Sequence, residues 1–151
     1  MQRRDIVLQA QTWIGTPYRH QQSVKGSGVD CVGLILGVGS ALSILHIPAD
    51  RWRPYARYAR LPNPRRMTRA MNEFLVKLED VTLETVPDGA IAWIQWRERA
   101  PMHLAIIDRE EGQPVRMIHA LSTVGECVHH IVNETWESRI VSYWDWPGAP
   151  K

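Results

Sequence analysis

The stretch TPYRHQQSVKGSGVDCVGLILGVG, Thr16 to Gly39, decides how the rest of the chain is read. It joins a glycine-rich loop to an apolar run, and one cysteine sits at the join. Gly26, Ser27 and Gly28 favour loose, turning backbone over regular structure. Asp30 is a good N-cap for a helix opening at Cys31. Val32, Leu34, Ile35, Leu36 and Val38 are too apolar for a surface helix, so the helix is read as buried and running to about Leu45. Gly33, Gly37 and Gly39 each cost a helix ~1 kcal/mol relative to alanine. Their spacing predicts a flat face that another element approaches closely, as for a central helix pressed on a sheet.

Cys31 then stands in the first turn, where unpaired N–H groups and the positive end of the helix dipole favour an anion. Thiol pKa values fall in such places, and the thiolate is the nucleophile. The same position also suits a cysteine that is only a small core hydrophobe. A nucleophilic cysteine needs a base and a group that orients the base. The run PMHLAIID places His103 in a strand-like segment, and VRMIHA places His119 in the next. By alternation His103 shares a face with Ala105 and Ile107, and His119 with Met117. If the two runs pair as a hairpin around Gly112, both imidazoles lie on one sheet face; a slip of one residue separates them.

The pattern of Tyr18, Gly28, Asp30, Cys31, Gly33 and Leu34, followed by His103-Leu-Ala-Ile-Ile and Ile118-His119-Ala120, resembles the NlpC (p-sixty) family of papain-like cell-wall cysteine peptidases. Pro87-Asp88-Gly89-Ala90 resembles a degenerate form of that family's Pro-Gly-Asp turn. The resemblance covers roughly the whole chain, in the family's order, and departs from it at Val32, where the family usually has serine. The compact form looks most like the branch carried by tailed phages and gene-transfer agents. The resemblance implies a papain-like NlpC-type α+β fold with Cys31 as nucleophile, His103 as base and His119 as its orienting partner. Tyr18 would help hold the oxyanion; the same tyrosine equally suits packing of a loop against the core. The implied substrate is the peptidoglycan stem peptide, cut between D-glutamate and a diamino acid. Two other readings stay open: a structural tail or tail-assembly component with little activity, and a thiol amidase or acyltransferase acting on another amide.

The 151 residues form one domain, 1–151, large enough for a real core. Apolar residues make up 44% and charged residues 23%, a globular balance with no low-complexity tract. A net charge of +2 is too small to argue for nucleic acid, while a sequence pI near 8.7 mildly favours an anionic partner such as a cell wall. No apolar run approaches the ~20 residues of a membrane span. MQRRDIVLQAQTW lacks the apolar core of a secretory signal, so synthesis in the cytoplasm is the expectation. The resemblance, taken with that missing signal, implies incorporation into a phage-like tail with tail-tip proteins as partners. Without export, Cys31 and Cys127 are expected to stay reduced, Cys127 as packing filler.

Helices are expected over 3–14, with Ile6, Val7, Ala10, Trp13 and Ile14 inward, and over 65–79, with Met67, Ala70, Met71, Phe74, Leu75 and Leu78 inward. Between them, residues 46–66 are rich in proline and arginine and carry Trp52, Tyr55 and Tyr58; the stretch reads as a groove rim, a docking surface or a basic surface loop. Strands are expected near 90–96, 102–108, 114–120, 126–132 and 139–146, giving N-terminal helices on a C-terminal antiparallel sheet of about five strands. Trp93, Trp96, Trp136, Trp144 and Trp146 read as packing residues, one or two of which would line a groove. His20, His129 and His130 show no partner pattern. His129 and His130 are adjacent on a strand and point to opposite faces, which disfavours chelation by the pair. No structural metal and no cofactor is expected.

Overall fold

Asp30 caps the central helix as its sequence requires: its Oδ1 accepts the Gly33 N–H at 2.7 Å. The computed structural model describes residues 1–59, 63–96 and 101–151. In chain order these form α1 (Arg3–Gln11), β1 (Ser23–Val24), β2 (Gly28–Val29), α2 (Cys31–Ala41), α3 (Ala49–Trp52) and α4 (Pro64–Phe74). The sheet region follows as β3 (Val76–Leu78), β4 (Ile91–Gln95), β5 (Pro101–Asp108), β6 (Arg116–Leu121) and β7 (Glu126–Ile131), with α5 (Glu134–Arg139) and β8 (Ile140–Asp145) last.

The main sheet is antiparallel throughout, with order β3-β8-β4-β5-β6-β7. It has the expected helices-on-sheet layout, with six strands where about five were expected. The sixth is β3, which takes residues assigned by periodicity to the end of the second helix. Leu75 adopts extended backbone and α4 stops at Phe74. Val76 to Leu78 then pair with Asp145 to Tyr143, so an open sheet edge overrides the helical pattern. Leu78 packs from that strand against the sheet's second face. The central helix also ends early, at Ala41, because Ser43 takes a positive φ of 56° and the N–H groups of Ile44 and Leu45 turn back to the Gly39 carbonyl. Gly28 is not loose backbone: Ser23 and Val24 pair with Val29 and Gly28 in a small hairpin whose turn uses Gly26 at φ 82°.

Two cores sandwich the sheet. On one face α1, α2 and α4 bury Ile6, Val7, Leu34, Val38 and Met71 against Ile91, Leu104, Ile106 and Ile118. On the other, Leu83, Val86 and Val132 cover Ala92, Ile94, Ala105, Ile107, Met117 and Tyr143. Each fully buried aliphatic side chain contributes roughly 1.5–3 kcal/mol. In α1, Ile14 departs from expectation and lies 44% exposed beyond the helix end. The close approach expected at the α2 glycines is real, but its partners are not the sheet. A Cβ at Gly33 would lie 2.0 Å from the Gln22 carbonyl oxygen, and one at Gly37 would lie 2.3 Å from the Trp13 ring. Gly33 and Gly37 therefore seat the hairpin loop and the turn after α1 on α2, which fixes the loop leading into Cys31, while Gly39 admits Leu45 and Trp146.

Candidate active site

Cys31 opens α2, half-buried, at the floor of a cleft of about 260 Å³ that Tyr18, Asp30, Tyr58, Trp96 and His103 also line. The carboxylate of Asp30 is 2% exposed and fully engaged. Besides capping α2, its Oδ2 accepts the Gln21 N–H at 2.7 Å and the Tyr58 hydroxyl at 2.6 Å. His20 stands 3.9 Å from the same oxygen and packs edge-on against Tyr58. Tyr18 is held in place by its backbone, which donates to the Gly125 carbonyl and pairs with Val29.

The histidines come from neighbouring strands. In the β5–β6 pairing Ile106 faces Ile118 and Ile107 faces Met117, so Ala105 falls opposite His119 and His103 is its diagonal neighbour on the same face. His103 Nε2 and His119 Nδ1 are 2.6 Å apart. The β6–β7 pairing sets Met117 opposite His130, which puts His130 diagonal to His119 in turn. Nε2 of His119 and Nε2 of His130 are 2.7 Å apart, and His130 Nδ1 lies 2.9 Å from the Ile131 carbonyl oxygen. Three imidazoles thus form one hydrogen-bonded row across three strands. Trp136 packs against two of them, with ring centroids 5.2 Å from His119 and 5.2 Å from His130. Trp96 sits beside His103, and of the five tryptophans singled out above it is the one that lines the cleft.

The charge state of the pair differs from what the helix position alone implies. Burial, then the Asp30 carboxylate, push the Cys31 thiol up to about 12; backbone N–H groups of Leu104, Val32 and Cys31 itself pull the other way but do not win. Burial brings His103 down to about 4. Burial, and then the neighbouring His103 and His130, bring the fully buried His119 down to about 2. The cleft therefore holds a neutral thiol at Cys31, and His103 and His119 are neutral imidazoles. Such a site can still act on a carbonyl, because an imidazole can take the thiol proton as sulfur attacks.

Cys31 and His103 line one cleft, and His119 backs His103. His130 and Tyr58 were missed. The signal for His130 was its parity on β7 once the β6–β7 hairpin is registered. Tyr58 had no local signal, since it reaches Asp30 from the 46–66 connection, of which residues 60–62 lie outside the described residues. That connection thus forms part of the cleft wall. His20 and His129 also find partners: His20 as above, and His129 Nε2 at 2.7 Å from Asp108 Oδ2, on the face opposite His130. Cys127 is a buried free thiol, pushed up to about 12 by burial and Glu126.

No protein-family model and no curated protein matches the chain. Solved structures do. One is a protein of the NLP/P60 family, described as similar to lipoprotein, from Staphylococcus aureus subsp. aureus Mu50; it aligns with a TM-score of 0.62 at 16% identity over 99% of this chain. The alignment spans only 42% of that longer chain. Another is the NlpC/p60 domain of the peptidoglycan hydrolase SagA, with a TM-score of 0.60 at 19% identity over 96% of this chain and 98% of the domain. By architecture, the chain has the helices-on-antiparallel-sheet fold of NlpC/p60 proteins.

Proposed function

We propose that the protein is a cysteine peptidase that hydrolyses an amide bond in the peptidoglycan stem peptide, between D-glutamate and a diamino acid. The observation that carries this reading is the meeting, in one cleft, of a helix-opening cysteine with His103, itself hydrogen-bonded to His119. The SagA likeness supports the substrate class, as that protein is a peptidoglycan hydrolase.

In this mechanism Cys31 attacks the amide carbonyl while His103 takes its proton. The oxyanion is met by the Cys31 backbone N–H and the Tyr18 hydroxyl; one such donor is typically worth ~3–4 kcal/mol. His103 then returns the proton to the leaving amine, and water drawn against the same imidazole releases the acyl group. His119 holds the His103 ring in place, and Asp30 stays the helix cap. Delivery of this activity by a phage-type tail is part of the proposal and rests on the family resemblance; purified tail particles that never contain the protein would remove it.

The test is digestion of peptidoglycan fragments by the wild type beside Cys31→Ala, with products read by mass spectrometry. Stem-peptide fragments that appear only with the cysteine intact support the reading, and their masses name the bond. If neither protein cleaves peptidoglycan, the thiol amidase and tail-component readings take over, and a panel of lipid and protein amides separates those two.

A further inference from the structure

The row of imidazoles does not stop at His119, and its far end is anchored to backbone. The Ile131 carbonyl oxygen can only accept a hydrogen bond, so His130 Nδ1, 2.9 Å away, must be the nitrogen that carries hydrogen. A neutral ring has one N–H, which leaves His130 Nε2 as a bare acceptor. The nitrogen facing it at 2.7 Å, His119 Nε2, must then donate. Neutral His119 in turn is bare at Nδ1, and His103 Nε2, 2.6 Å away, must donate to it. The consequence reaches the cleft: neutral His103 is left with its lone pair on Nδ1, the one nitrogen in the row that no ring or carbonyl of the described residues engages.

We propose that His130 is a positioning residue which, through His119, fixes the tautomer of His103 so that Nδ1 is the free base in the cleft. This rests on reading His103 as the proton acceptor from Cys31. A side chain at 130 that can only donate would reverse every bond in the row. His119 would then accept at Nε2 and donate from Nδ1, His103 would accept at Nε2, and the hydrogen would sit on His103 Nδ1, where it blocks the base. The low proton affinity of His119 and His103 agrees with these two rings staying neutral, so that tautomer is the variable that matters for them. The packing of Trp136 against both His119 and His130 holds these two rings against flipping out of the row.

The experiment is nitrogen-15 NMR of the full chain labelled at histidine, at pH 7.5, on the wild type, His130→Gln and His130→Lys. In the wild type the hydrogen between His119 and His130 should be bonded to His119 Nε2; finding it on His130 Nε2 overturns the proposal without any variant. The amide introduced by His130→Gln offers a carbonyl oxygen and should keep His103 protonated at Nε2. The ammonium introduced by His130→Lys offers only hydrogens and should move the His103 hydrogen to Nδ1, with kcat on peptidoglycan fragments lower by a hundredfold or more and KM little changed. A His103 tautomer and a kcat that are the same in all three proteins overturn the assignment of His130 and leave the hydrolase reading intact. The tautomer shift without cleavage by any of the three supports the positioning role and removes the hydrolase reading instead.

Discussion

Tyr58 donates its hydroxyl hydrogen to Asp30 Oδ2 across 2.6 Å, tying the connection between α3 and α4 to the cap of the helix that carries Cys31. Burial, and then the Asp30 charge, push the phenol far above its ordinary range, so the hydrogen stays on Tyr58 at every accessible pH. Gln21 adds a second tie, its side-chain amide donating to the Tyr58 carbonyl oxygen. A basic, proline-rich connection is thereby built into the cleft wall.

Tyr58→Phe removes one hydrogen bond to a buried carboxylate and leaves the ring packing against His20 in place. Hydrogen bonds to charged groups contribute about 1.5–3 kcal/mol, and Asp30 keeps two backbone donors. The variant should lose about 1–2 kcal/mol in urea unfolding, with the slope of the transition unchanged. An unchanged midpoint means that the connection is not fastened to α2 in solution.

A second fastening lies on the helix-covered side of the sheet, away from the cleft. Asp108 is 1% exposed and is held by Arg4 Nη1 at 2.6 Å and His129 Nε2 at 2.7 Å. Burial pushes its carboxyl up, but Arg4 and His129 more than offset that and hold it below the usual carboxylate range. Its contribution is therefore present above pH ~3.9 and is lost as acid protonates it. Breaking a buried pair by removing one partner costs about 3 kcal/mol or more. Asp108→Asn should lower Tm by several degrees while Cys31 alkylation at pH 7.5 stays at the wild-type rate. A change in alkylation rate would tie this network to the cleft and contradict its separation.

What was legible in the sequence depended on how local the signal is. Asp30 as cap and Cys31 as first helical residue follow from adjacent positions, while strand parity put His103 and His119 on one face only for the register that β5 and β6 in fact adopt. The strand β3 was not legible, because Val76 to Leu78 continue the apolar spacing of α4 and become a strand only when Tyr143 to Asp145 offer an edge. His130 needed the β6–β7 register, and Tyr58 needed the path of a connection with no period of its own. Which of its two readings Cys31 would follow was not legible for a related reason. The helix dipole is visible in sequence, while burial and the aim of Asp30's charge exist only once the chain has folded.

Acid should destabilise the fold before its carboxylates titrate. His103 and His119 are held well below the ordinary histidine value of 6.5, at about 4 and about 2. Between pH 6.5 and about 4 the unfolded chain binds protons at both positions that the folded chain refuses. Stability therefore falls with falling pH, by up to roughly 1.4 kcal/mol per pH unit for each histidine. Below about 4 His103 titrates in both states and only His119 continues. Urea midpoints at pH 7, 6 and 5 should drop steadily, and His119→Gln should flatten the drop by about half. Equal slopes in the two proteins would show that His119 is not buried as a neutral ring.

The thiol gives the sharpest contrast with an ordinary helix-capping cysteine. With Cys31 pushed up to about 12 by burial and the Asp30 charge, and His103 down to about 4, there is no resting thiolate–imidazolium pair at neutral pH. The thiolate fraction then rises tenfold per pH unit across the accessible range. Iodoacetamide alkylation of Cys31, followed by peptide mass spectrometry, should climb with unit slope from pH 6 to pH 10 and show no plateau. Asp30→Asn removes the nearest negative charge and keeps an oxygen for the cap, so its alkylation should be faster than wild type at every pH in that range. A plateau near pH 7 in the wild type would mean that the ion pair forms before substrate arrives, and proton transfer would then precede attack. A rise without plateau means that His103 takes the proton only as sulfur closes on the carbonyl, which makes the placement of its free nitrogen a condition of the reaction.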